Sequence, residues 1–74
     1  MSHGQWTELV ERVVSEIDER IKHGDLPGHI LTFEDAAAHS TQPFGCVDQL
    51  RNVDRGNVIA GVDEVLRIRA GGVY

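Results

Sequence analysis

"NVIAGVDEVLRIRAGGVY", residues 57–74, is the stretch on which the fold turns. It is rich in β-branched residues, which favour strands. Val65, Arg67 and Arg69 alternate with Leu66 and Ile68, the two-residue period of a half-buried strand. "NVIAG", residues 57–61, supplies a partner strand. Together they predict a C-terminal β-hairpin. Asp63-Glu64, between the strands, is weak turn chemistry, and a helical reading of "VDEVLRI", residues 62–68, competes with the hairpin.

Upstream the period is helical. Trp6, Val10, Val13, Ile17 and Ile21 recur at steps of three and four, with Leu9 and Val14 beside them. This apolar stripe predicts a helix over about 5–23. Gly24 follows as the left-handed residue that closes many helices. "DLPG" is an ordered loop, and Ile30-Leu31 predict either a short edge strand or an apolar anchor for that loop. Thr32 and Asp35 form a capping pattern ahead of "FEDAAAH", a short helix with Phe33, Ala36 and Ala37 facing inward. Pro43 suits a first helical position, and Phe44, Val47, Leu50 and Val53 repeat every three residues, predicting a third helix over about 43–54 that ends at Arg55-Gly56.

With 74 residues the chain predicts one domain, 1–74, with a thin core. Its 41 % hydrophobic content fits an ordinary globular fold rather than disorder. Cys46 is the single cysteine, so no internal disulfide staples the fold, which suits a reducing, cytoplasmic setting. No secretory signal and no membrane span is expected. The formal net charge of −5 is the wrong sign for a nucleic-acid binder. The excess lies before residue 38; beyond it, four acids are balanced by Arg51, Arg55, Arg67 and Arg69.

A long helix, an ordered loop, two short helices and a hairpin follow the winged helix-turn-helix plan, an α+β fold of three helices with a C-terminal β-hairpin. Ile21, Gly24, Leu26-Pro27-Gly28, Leu31, "FEDAAA", the Leu50–Val53 spacing, Gly56-Asn57-Val58 and "RIRAGGVY" occur in the order found in one family. The chain resembles the N-terminal DNA-binding domain of the gluconate-repressor (GntR) family over nearly its whole length. It departs from that family's pattern where Pro43 and Val47 stand in place of two arginines at the start of the third helix, and it has no counterpart of the family's effector-binding domain.

The resemblance implies a small transcriptional regulator of bacterial, phage or plasmid type that binds duplex DNA. Helix 43–54 would enter the major groove with Gln49, Arg51, Asn52 and Arg55, while Thr41 and Gln42 meet phosphate at its start. Arg67 and Arg69, on one face of the last strand, would serve as wing contacts. Pairing of Arg51 and Arg55 with Asp48 and Asp54, or protection of a sheet edge by Arg67 and Arg69, would account for the same residues without DNA. The thin core, with Trp6 and Tyr74 near the two ends, predicts a homodimer or another protein subunit as partner. The rival function is a protein-interaction module that keeps the winged-helix fold and offers the acidic face of its first helix to a basic partner, as a mimic of DNA would. No pair among His3, His23, His29, His39 and Cys46 has metal-ligand spacing, so neither metal nor cofactor is expected. Asp35, His39 and Ser40 are neighbours without a nucleophile-and-base arrangement, so no enzyme is expected.

Overall fold

Ser2 begins the described chain as a helix cap: its Oγ accepts from the Gln5 backbone N–H at 3.2 Å, and the Gln5 side chain accepts from the Ser2 N–H at 3.3 Å. The structure, a computed structural model, describes residues 2–71. The first helix, α1, runs His3–Lys22 and buries Val10, Val13 and Ile17, the stripe read from the sequence. Gly24 closes it at φ 84, as expected. The backbone N–H groups of Asp25 and Leu26 both donate to the Arg20 carbonyl, which turns the chain back on itself.

Leu26 and Ile30 are buried, so the "DLPGHIL" loop docks on the core rather than adding a strand. Thr32 caps α2, Phe33–His39, by accepting from the Asp35 N–H at 3.0 Å. Ala36 is fully buried there, where a small side chain lets the helix sit close; Ala37, expected to face inward beside it, is exposed. A four-residue helix, α3, spans Gly45–Asp48, and the 20-residue α4 spans Asn52–Gly71.

Two expectations are therefore overturned. The hairpin is absent: residues 52–71 form one continuous helix, and the described residues contain no strand. The fold is all-helical, not an α+β winged helix. The reason lies in burial. Val58, Gly61, Val62 and Leu66 are buried and Val65 is half-buried. Their spacing of i, i+3, i+4, i+7 and i+8 makes one helical stripe that outweighs the β propensity of the individual residues. The alternation around Val65–Arg69 was too short to compete. The glycine-rich tip and aromatic read from Gly72, Val73 and Tyr74 lie outside the described residues.

The third helix also differs. In place of 43–54 there is α3, then a break, then α4, and Val53 is exposed rather than inward. Arg55 fixes the break: its Nη2 donates to the carbonyls of Asp48 at 3.1 Å and Leu50 at 3.3 Å, and its Nε to that of Val47 at 3.4 Å. The Val47 carbonyl also accepts from the Leu50 N–H at 3.0 Å, so Arg55 adds a charged donor to a turn the backbone already closes. Gly56, expected to stop the helix, sits inside α4.

The long helices run parallel. Trp6 of α1 meets Asn57 and Gly61 of α4, and Asp18 of α1 meets Arg69 of α4. The loop, α2 and α3 carry the chain back to the start of α4. Phe33 and Phe44 pack with ring centres 5.1 Å apart, and Phe44 and Val47 close the core on that side.

Candidate functional site

The residues expected to meet DNA do not converge. Arg55 and Arg67 are separated by twelve residues of α4, about 18 Å along its axis at 1.5 Å per residue. Arg67 and Arg69 were expected on one face of a strand. Two residues apart on a helix, they instead point in directions about 160° apart. Arg69 turns toward α1 and pairs with Asp18 at 2.9 Å, whereas Arg67 is exposed and makes no ion pair among the described residues. The paired positive surface of a wing is therefore missing from them.

Arg55, expected in the major groove, has its guanidinium occupied by the carbonyls at the α3 break. It pairs with neither Asp48 nor Asp54. Gln49 is the C-terminal cap of α3, Arg51 lies in the break, and Asn52 opens α4; all three are exposed. Thr41 and Gln42 are exposed in the loop before α3, and the Gln42 carbonyl is taken by Arg20.

Arg20 was not singled out by sequence, yet it organises this side of the molecule. Its side chain is only 15 % exposed. The guanidinium lies 4.0 Å over the Phe44 ring and donates to the carbonyls of Gln42 at 2.8 Å and Pro43 at 3.2 Å, and to Glu16 at 3.3 Å. It ties α1 to the segment leading into α3. Arg12 pairs with Glu8 at 3.0 Å. Among the described residues, Lys22, Arg51 and Arg67 are the lysine and arginine side chains left without such a partner.

The free carboxylates are more widespread. Glu11, Asp25, Glu34, Asp35, Asp48 and Glu64 are exposed and form no ion pair among the described residues. On α1, Glu8, Glu11 and Glu19 are exposed along the side away from the core, with Arg12 and Lys22 offsetting part of the charge. Asp63 serves the fold instead. Its Oδ1 accepts from the Phe33 N–H at 2.7 Å and joins the start of α2 to α4.

Two surface features escaped the sequence reading. One is a groove of about 680 Å³ along α4, lined by Leu31, Ala60, Glu64, Arg67 and Ile68, in which Leu31 is 47 % and Ile68 60 % exposed. The other is a cleft of about 480 Å³ between α1 and the start of α4, with half-buried Leu9 and Leu50 inside and Glu8, Arg12 and Asp54 at its rim. Neither holds a nucleophile beside a base. Cys46 is half-buried, and burial followed by the nearby Glu16 carboxylate pushes its thiol above the ordinary range. Among the described residues no cluster of His, Cys, Asp and Glu could hold a metal ion, and no helix is long and apolar enough to cross a membrane.

The chain matches no family model, no curated protein and no solved structure.

Proposed function

We propose that this chain is a small helical protein-interaction module whose acidic surface, centred on the exposed side of α1, binds a basic partner, and that it does not act by binding DNA. One observation carries this reading: the Arg55 guanidinium is taken by backbone carbonyls and that of Arg69 by Asp18, while Glu8, Glu11 and Glu19 stand exposed along α1, Glu11 without an ion pair among the described residues. Phosphate contacts supply most of the non-specific affinity for DNA, and they need several free cations on one surface. Lys22, Arg51 and Arg67 lie on α1, in the α3–α4 break and near the end of α4, too scattered to provide it. A surplus of free carboxylates instead steers a cationic partner toward the molecule and raises its rate of encounter.

Two measurements test this. In a mobility-shift series with mixed genomic fragments, no complex forms even at low salt; a retained complex at low salt overturns the proposal. In a fluorescence titration followed through Trp6, a lysine-rich peptide binds with an affinity that falls as salt rises. The triple change Glu8→Gln, Glu11→Gln, Glu19→Gln weakens binding more than Glu34→Gln with Asp35→Asn. Equal loss from both sets discards the α1 face as the site.

A further inference from the structure

We propose that the solvent-facing side of α4 seats a second copy of this chain, packed antiparallel, with Glu64 of each copy against Arg67 of the other. The proposal uses none of the α1 carboxylates and stands apart from the acidic-surface reading. It begins with the sequence of α4. Besides the stripe buried against α1, the helix carries a second one: Asn57, Ala60, Glu64, Arg67 and Gly71 recur at alternating steps of three and four, and all are exposed. That spacing puts them on one side of α4; the strip is not an apolar heptad seam, since Glu64 and Arg67 make it polar and only Ala60 and Gly71 are small. Leu31 and Ile68 flank the strip with substantial apolar surface in water, and the groove between them follows the helix.

Charge and size select the occupant. In an antiparallel pair the numbers of facing residues have a constant sum. Placing Glu64 opposite Arg67 of the second copy therefore places Ala60 opposite Gly71, so small residues meet where the backbones approach. The two-fold axis makes each contact twice, as a self-complementary interface requires. Glu64 and Arg67 make no ion pair among the described residues, so both are available. Their charges cancel, so the strip is locally neutral on a chain of net charge −5. A generic cationic or anionic partner would match only one of the two. The contact along α4 from Ala60 to Gly71 is about 17 Å long, which suits a modest interface with micromolar dissociation rather than an obligate one.

Sedimentation equilibrium over micromolar to millimolar concentration, with helicity checked by circular dichroism, tests this. The wild-type chain shows a concentration-dependent dimer. Glu64→Arg and Arg67→Glu each put like charges together twice and weaken it about ten-fold or more. The double variant, Glu64→Arg with Arg67→Glu, restores the pairing and returns the dimer to near wild-type strength. A wild-type chain that stays monomeric throughout overturns the proposal. So does a dimer indifferent to the single reversals, which would be seated elsewhere, and so does a double variant no better than the singles.

Discussion

Gly61 of α4 lies directly beneath the Trp6 indole of α1: a Cβ built on it would stand 2.6 Å from Trp6 Cζ2 and 2.7 Å from Val10 Cγ2. Real carbon atoms do not approach this closely, so the crossing exists only because residue 61 lacks a side chain. The indole uses the space twice, covering the helix and donating from Nε1 to the Asn57 carbonyl at 2.9 Å.

Gly61→Ala should therefore destabilise the fold, although alanine is the better helix former. Helix propensity would favour the change by about 1 kcal/mol. Overpacking a tight contact costs about 1–3 kcal/mol, and here the clash is with an aromatic ring and a branched core residue rather than a flexible chain end. The net expectation is a loss of about 1–2 kcal/mol in urea unfolding, with an altered Trp6 emission in the native state. A gain in stability would show that α4 does not rest on the indole.

The arginines divide by what they hold. Arg55→Ala removes the donor for the Val47, Asp48 and Leu50 carbonyls, and should cost about 1–3 kcal/mol, as expected when polar groups lose a charged partner. Arg51→Ala, four residues away and free of ion pairs among the described residues, should stay within about 0.5 kcal/mol. Paired urea titrations measure both. Equal effects would contradict the claim that Arg55 sets the break between α3 and α4.

These residues also mark the limit of what the sequence made legible. The α1 stripe, the Gly24 closure and the Thr32 cap are local signals, carried by spacing and side-chain chemistry over a few residues, and each appears in the structure. The form of 57–71 was a contest between periods. Over Val65–Arg69 the two-residue alternation looks convincing, but Val58, Gly61, Val62, Val65 and Leu66 follow the helical period over a longer span. A count along the whole stretch favours the helix. Gly61, read as part of the "NVIAG" strand, serves instead the close approach of two helices. The α3–α4 break was not legible, since the regular Phe44–Val53 spacing continues through it, and the contacts at the break, Arg55 to three carbonyls and Leu50 N–H to Val47, have no signature in that spacing. Arg67 and Arg69 depended on the hairpin, and Gln49, Arg51, Asn52 and Arg55 on one helix over 43–54, so their assembly into one surface was lost with both.

Asp63 links elements distant in sequence through a single hydrogen bond to the Phe33 N–H. Asp63→Ala leaves that N–H without its partner at the start of α2, and should cost about 1–2 kcal/mol. Asp63→Asn keeps an acceptor oxygen and should recover most of the loss, although it gives up the attraction between a carboxylate and the helix N-terminus. Amide hydrogen exchange at Phe33 reads the effect locally. Unchanged protection in the alanine variant would remove this link from the account of how α2 is placed.

Cys46 couples reactivity to pH. Burial and then the Glu16 carboxylate raise its pKa in the folded state, because both disfavour the thiolate. A thiol reacts with iodoacetamide through its thiolate, so alkylation of the native protein near neutral pH should be slower than in denaturant, where the ordinary pKa returns. The sign for stability follows from the same shift. Below the unfolded-state pKa the thiol is protonated in both states and the fold keeps its full stability. As pH rises through that value the unfolded chain ionises first, and stability falls until the folded thiol also ionises. Glu16→Gln removes one of the two causes and should speed native alkylation while leaving the rate in denaturant unchanged. An equal rate for wild type and variant in the native state would leave burial alone responsible and remove Glu16 from the environment of the thiol.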